Sequence, residues 1–186
     1  MRELAGAGRI REFMHRLGAA VSKETRIYLT GGATAVLLGW RETTLDVDLK
    51  IVPESDDAFR AIPELKESLR INVELASPDL FIPAIPGWES RSPFVCREGR
   101  VDWHHYDPYA QALSKIERGH DRDAGDVRRM LAQGLVEPAA LRAFFEMIRP
   151  DLVRYPAIHP PSFSRKVDEA LADREGPTSP APSLPT

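Results

Sequence analysis

The sequence predicts an α+β fold, in which a small mixed β-sheet with helices is followed by a C-terminal helical bundle. Over residues 1–107, short strand-like apolar segments alternate with amphipathic helical segments, whereas residues 108–175 carry helical periodicity alone. The last eleven residues, 176–186, contain four prolines and one large apolar residue. We therefore expect an α/β core at 1–107, a helical region packed on it at 108–175, and a disordered Pro-rich tail at 176–186.

The individual elements follow from periodicity and from turn residues, taken in chain order. An amphipathic helix is predicted at 2–22, where apolar residues recur at helical spacing. After it come a strand at 26–30, a helix at 31–40, a turn at 41–44, a strand at 45–52, a helix at 55–69, a strand at 71–75, an irregular loop at 76–89, a hairpin of 94–97 and 100–106, and helices at 108–118, 121–133, 138–148 and 164–173. Ser55 suits the N-cap of the helix that follows it, and Pro63 is expected to begin a second turn of helix.

Composition excludes several classes of protein. The chain has 186 residues, 42% hydrophobic and 28% charged, which is typical of one globular domain with a sizeable core. A formal net charge of -3 gives no strongly basic surface for nucleic acid. The single cysteine, Cys96, excludes an internal disulfide and a multi-cysteine zinc site. No segment reads as a membrane span or a signal peptide, so we expect a cytoplasmic protein with no membrane partner.

The segment 29–51 carries the strongest functional signal. Asp46 and Asp48 lie two residues apart on a predicted strand, so both carboxylates point to one side while the alternate apolar residues face a core. Two carboxylates held close together repel each other, and a hard divalent cation removes that penalty. Gly31 and Gly32 precede a helical segment, whose free N–H groups and dipole favour an anion. The segment therefore predicts a metal site beside a phosphate site.

The order of apolar strand, Gly-Gly, helix and Asp-apolar-Asp-apolar resembles the signature of the polymerase-β-type nucleotidyltransferase superfamily. Thirteen residues, 33–45, separate Gly32 from Asp46, and that family allows this spacing. The resemblance implies a minimal nucleotidyltransferase fold and a reaction that depends on Mg²⁺ or Mn²⁺, with an NTP as substrate. It also implies that Asp46 and Asp48 are the catalytic metal ligands and that Gly31 and Gly32 hold the triphosphate, although the glycine pair also suits a tight turn with no ligand. The hydroxyl of Thr34 could add a donor to the phosphate or could equally cap the helix.

Two further motifs resemble those of the AbiEii-type toxin nucleotidyltransferases, and in particular of their compact bacterial relatives. The first motif is Arg41, Thr43 or Thr44, Asp46 and Asp48; the second, which is looser, is Lys115, Arg122-Asp123 and Asp126-Val127. The resemblance implies that Arg41 and Lys115 bind the nucleotide. For Arg41, bidentate bracing of the carboxylates and an ordinary surface role remain open alternatives, and for Lys115 a structural ion pair does. Asp123 and Asp126, three residues apart on a helix, are expected to brace a cation or cap the helix.

Nucleotidyl transfer also requires a third carboxylate near the metal pair. Glu74 is our first choice as a catalytic and metal-binding residue, because its predicted strand should lie next in the sheet; a solvent-facing Glu74 is the alternative. Asp79 is the second choice and Asp102 the third. The expected acceptor is an RNA, a protein or a small molecule, and the resemblance implies a cognate toxin or antitoxin partner. The alternative function is a catalytically inactive scaffold that acts as a regulatory or antitoxin partner.

Overall fold

The computed structural model describes residues 3–172. The strands are β1 Ala5–Gly6, β2 Thr25–Thr30, β3 Thr43–Thr44, β4 Asp46–Val52, β5 Asn72–Glu74, β6 Phe94–Glu98 and β7 Val101–His105. The helices are α1 Ala7–Ala20, α2 Gly31–Leu37, α3 Asp56–Ser68, α4 Trp88–Arg91, α5 Pro108–Arg118, α6 Asp121–Ala132, α7 Pro138–Ile148 and α8 Pro160–Ala172. The predicted α+β class is confirmed, whereas the predicted tail at 176–186 lies outside the described residues.

A mixed five-stranded sheet, in the order β5-β4-β2-β7-β6, forms the centre of the fold. Strand β2 runs antiparallel to β4 and parallel to β7, and β4 runs parallel to β5. In this register Thr30 lies opposite Asp48, and Asp48 lies opposite Glu74. The end of β2, the start of β4 and the end of β5 therefore meet at one edge of the sheet.

Helices cover both faces of the sheet, because the central strand β2 sends alternate side chains into two separate hydrophobic clusters. Ile27 and Leu29 join a cluster with residues of α1 and α3. Tyr28 joins the other cluster, which contains residues of α5, α6, α7 and α8. The C-terminal helices therefore pack on the second face of the sheet. Residues 3–172 contain no helix with the length and apolarity needed to cross a bilayer.

The N-terminal helix is shorter than the predicted 2–22. Ala5 and Gly6 form β1, which pairs antiparallel with Thr44 and Thr43 of β3, so α1 begins only at Ala7. Leu4 therefore precedes the helix and is 53% exposed. The prediction of a turn at 41–44 is wrong in part, because Thr43 and Thr44 form strand β3, which pairs with β1.

Other boundaries also moved. Helix α2 ends at Leu37 rather than at residue 40, and Gly39 then takes a positive φ of 76° that redirects the chain. Helix α3 runs without a break through Pro63, so the predicted second start is wrong, while the Ser55 N-cap is confirmed by its bond from the Ala58 N–H. Helix α8 begins at Pro160, because proline is well tolerated in a first helical turn.

The segment 76–89, predicted as irregular, contains a 3₁₀ turn at Pro78–Leu80 and the start of α4. The segment is fixed to the sheet by polar contacts. Lys50 of β4 forms an ion pair with Asp79 (2.6 Å), and the Tyr106 hydroxyl donates to the same carboxylate (3.2 Å). These contacts hold the segment beside the edge of the sheet where β5 ends.

Candidate active site

Three acidic residues line one cavity at the edge of the sheet: Asp46, Asp48 and Glu74. Asp46 and Asp48 are partly buried on one face of β4, while Val47 between them is fully buried on the other face. The parallel pairing of Asp48 with Glu74 brings Glu74 to the same face, where it remains exposed. The structure thus brings the first-choice third acid together with the pair.

The other two candidates for the third acid lie elsewhere and line neither this cavity nor the one that adjoins it. The carboxylate of Asp79 is bound to Lys50. Asp102 lies opposite Arg26 near the start of β2 and forms an ion pair with Arg97 (3.0 Å). The acidic site lies beside Thr30 at the end of β2, four residues after Arg26. At about 3.3 Å per residue, Asp102 and the acidic site are therefore roughly 13 Å apart along the strand direction.

The carboxyl group of Asp48 has a perturbed pKa. Burial, together with the neighbouring charges of Asp46 and Glu74, raises the pKa of its carboxyl group to about 6. Arg118 and Lys115 act against them. The charged form of Asp48 is therefore disfavoured in the folded protein, and a bound cation would relieve that cost.

The glycine pair lets the start of α2 approach these acids closely. Gly31 has a φ of 59°, and a Cβ placed there would lie 2.6 Å from Oδ2 of Asp48. A Cβ at Gly32 would overlap the hydroxyl of Thr44. The Gly31 N–H, expected to be free for a phosphate, instead donates to Oε1 of Gln111 (3.1 Å). The pair thus places backbone against Asp48, and the N–H of its first residue is bound within the protein.

Replacing Gly31 with Ala is expected to destabilise the fold by about 1–2 kcal/mol, because it combines a positive φ with a contact against Asp48. Gly8→Ala is the matched control, since it lies in α1 with no atom within 4 Å of an added Cβ. We expect the control to leave stability unchanged or raise it by up to about 1 kcal/mol. Urea unfolding of the two variants checks this, and equal stabilities would contradict it.

Helix α5 supplies the opposite wall of the cavity. Gln111, Ser114, Lys115 and Arg118 all line it, and their spacing of i, i+3, i+4 and i+7 places them on one face of the helix. Of these four residues, only Lys115 was predicted from the sequence. Arg118 and Gln111 were missed, although the helical spacing on either side of Lys115 would have pointed to both.

Lys115 belongs to a buried group of charges. Its side chain is 3% exposed, and Nζ contacts Asp126 (2.7 Å) and Asp123 (3.2 Å). Arg118 also binds Asp123 (3.0 Å), and Arg41 grips both carboxylate oxygens of Asp126 (2.6 and 3.2 Å). Asp123 and Asp126 therefore brace cations, as expected. Three cations face two anions, which leaves one net positive charge beside the acidic residues of β4 and β5.

A second, larger cavity of about 900 Å³ adjoins the first, whose volume is about 190 Å³. The two share five lining residues: Gly31, Asp46, Asp48, Lys115 and Arg118. Arg41, Gly32 and Thr44 line the second cavity only. Its volume is sufficient for a nucleotide-sized ligand. Asp46 and Asp48 therefore line both cavities, and Arg41 lines the larger one.

Thr34 is not brought to either cavity. Its side chain is buried; the hydroxyl donates to the Leu29 carbonyl (3.0 Å) and also contacts Nδ1 of His105 (3.1 Å). Burial lowers the pKa of His105 to about 4, so this imidazole is neutral near pH 7. This placement does not support the expected contact between Thr34 and a triphosphate, because the hydroxyl is already hydrogen-bonded to the Leu29 carbonyl at the end of β2.

The donor set fits a hard divalent cation, since Asp46 and Asp48 offer carboxylate oxygens and Mg²⁺ typically takes one or two carboxylates together with substrate phosphates. Among residues 3–172, no group of three or more His, Cys, Asp or Glu side chains is gathered tightly enough to hold a metal by itself. Asn72 lies between two of the acids: its Nδ2 donates to Oδ1 of Asp46 (2.7 Å) and to Oε1 of Glu74 (2.8 Å).

Comparisons with known protein families, with curated proteins and with solved structures found no match for this chain.

Proposed function

We propose that this protein is a metal-dependent nucleotidyltransferase, which moves a nucleoside monophosphate from an NTP to an acceptor and releases pyrophosphate. One observation carries the proposal: the Asp46–Asp48 pair lines two joined cavities together with the cations Lys115 and Arg118. Group transfer between two substrates needs space for both around one reacting centre. The resemblance of the Gly-Gly and Asp-x-Asp motifs to the polymerase-β type supports the same reaction and the same minimal fold.

Each part of the site has a role in this reaction. Asp46 and Asp48 would hold Mg²⁺ or Mn²⁺, and the cation would supply neutralising charge to the phosphates. Arg41, Lys115 and Arg118 stabilise the negative charge of the triphosphate from the opposite wall. Glu74, on the accessible side of the acidic group, accepts the proton from the acceptor hydroxyl. The acceptor oxygen forms a bond to the α-phosphorus as the bond to the pyrophosphate oxygen breaks.

The proposed acceptor is an RNA, a protein or a small molecule that carries a hydroxyl group. Incubation of the protein with each labelled NTP, Mg²⁺ and either total cellular RNA or total cellular protein identifies which acceptor becomes labelled. Asp46→Asn should abolish labelling, whereas Asp102→Asn, which alters an acid at the other end of the sheet, should not. Labelling that persists at full rate in Asp46→Asn would overturn the proposal. Folded protein that labels nothing and gains no thermal stability from Mg²⁺ and NTP would favour the inactive scaffold.

Metal affinity is expected to fall as the pH decreases through about 6, the pKa of Asp48 in the folded protein. The pKa is raised, so the proton binds Asp48 below that value, and metal and proton compete for the same oxygens. Well below the pKa, the affinity should decrease about tenfold for each pH unit. Titration of Mn²⁺ followed by electron paramagnetic resonance measures this, and an affinity that is constant across this range would contradict the role of Asp48.

A further inference from the structure

Asn72 links two of the acids, Asp46 and Glu74, which lie on neighbouring strands. It stands opposite Asp46 in the β4–β5 register, and it precedes Glu74 by two residues on β5, so both neighbours share its face of the sheet. Its Nδ2 donates hydrogen bonds to Oδ1 of Asp46 (2.7 Å) and to Oε1 of Glu74 (2.8 Å). These are good hydrogen-bond distances to carboxylate oxygens.

Glu74 depends on this link because little else fixes it. It lies at the end of a three-residue edge strand and is exposed, and a glutamate side chain has several rotatable bonds. Asp46, by contrast, is partly buried on a seven-residue strand that is paired on both sides. The hydrogen bond from Asn72 is therefore expected to keep the Glu74 carboxylate beside Asp46 and Asp48 instead of letting it turn into solvent.

We propose that Asn72 is a positioning residue of the acidic site: its amide NH₂ group holds Glu74 beside Asp46 and gives up part of this contact when a divalent cation binds. The inference rests on the proposed function. A neutral amide donor placed between two carboxylates satisfies them without a cation and can turn away without leaving a buried charge behind.

The sequence offers an unusually direct test, because Asn72 is the only asparagine in the chain. Protein labelled with ¹⁵N-asparagine therefore gives a single side-chain NH₂ pair in the amide NMR spectrum. We expect Mg²⁺ alone to shift this pair. Glu74→Gln should shift it without metal, because a charged acceptor is replaced by a neutral one, whereas the distant Asp102→Asn should leave it in place. An NH₂ pair that responds to neither Mg²⁺ nor Glu74→Gln would overturn the inference.

Metal affinity provides a second readout. Asn72→Ala should weaken Mn²⁺ binding, measured by electron paramagnetic resonance, by about tenfold, the usual loss when a residue that orients a metal ligand is removed. In a Glu74→Gln background the same substitution should weaken binding much less, because Asn72 acts through Glu74. Gln133→Ala is the matched amide control; this side chain accepts from Trp40 (3.1 Å) and lines neither cavity.

The outcomes separate the two proposals. If the wild-type protein binds Mn²⁺ and Asp48→Asn does not, while Asn72→Ala binds as well as wild type, the positioning role is wrong and the proposed function stands. Equal losses from Asn72→Ala with and without Glu74 would also remove the positioning role. If the wild-type protein binds no Mn²⁺ or Mg²⁺, both proposals fail. Should Asn72→Ala not fold, the NMR response of the wild-type protein and of Glu74→Gln decides the question.

Discussion

Replacing Asp48 with Asn is expected to abolish metal-dependent turnover of NTP while making the protein more stable. The loss of turnover follows from the loss of a charged metal ligand. The gain in stability follows from the pKa of Asp48, which is raised from 3.8 to about 6 in the folded protein. At neutral pH the folded state must keep a disfavoured charge, and a neutral amide removes that charge. We estimate the gain at about 1–3 kcal/mol, allowing for partial solvent access.

The pH dependence distinguishes this explanation from a general packing effect. A raised pKa favours the folded state at low pH, and this contribution is lost as the pH rises from about 3.8 to about 6. Asp48→Asn should therefore exceed the wild-type protein in stability above that range and match it below. Urea unfolding across this range, in the absence of metal, measures the difference. Asp102→Asn serves as the control, and a variant that is less stable than wild type at neutral pH would contradict the prediction.

Replacing Lys115 with Met is expected to lower the free energy of unfolding more than any other substitution proposed for this protein. The side chain is 3% exposed and forms ion pairs with Asp123 and Asp126, which are themselves 5% and 1% exposed. Breaking a buried ion pair typically costs about 3–5 kcal/mol because the remaining charge has no partner. Here Arg118 and Arg41 still contact the two carboxylates, so we expect about 2–4 kcal/mol, together with weaker binding of NTP.

Two further variants make this prediction specific. Lys23→Met changes an exposed lysine and should alter the free energy of unfolding by no more than about 0.5 kcal/mol. Lys115→Met combined with Asp123→Asn restores the balance of charge and should recover part of the lost stability. If Lys115→Met unfolds at the same urea concentration as Lys23→Met, then the buried charges do not stabilise the fold, and a role for Lys115 in ligand binding alone would remain.

The sequence was sufficient to place the acidic pair, because its structural basis is local. The alternation of β4 alone sends Asp46 and Asp48 to one face, and the glycine pair must lie near them because β2 and β4 pair antiparallel. Glu74 was preferred to Asp102 because its strand was expected to lie next to that of the acidic pair, and the parallel pairing of β4 with β5 confirms this neighbour. The contact from the Gly31 N–H to Gln111 spans 80 residues and could not be predicted from either segment.

Other omissions have different physical causes. The two-residue strands β1 and β3 are too short to show any periodicity, so the N-terminal helix was predicted to start too early. Arg118 could have been predicted from the sequence, because it lies three residues after Lys115 on the same face of a helix. The bond from Asn72 to Asp46 was not predicted, because it depends on the register between β4 and β5. The bond from Asn72 to Glu74 lies within one strand and was missed.

The charged group around Lys115 also has a consequence for how the chain is divided. Arg41, which lies between α2 and β3, reaches across to Asp126 of α6, and the wall opposite the acids belongs to α5. The two cavities thus lie between the sheet and the C-terminal helices, and residues from both parts of the chain line them. Because α5 supplies one wall and β4 the other, the packing of α5 on the sheet fixes the width of this space.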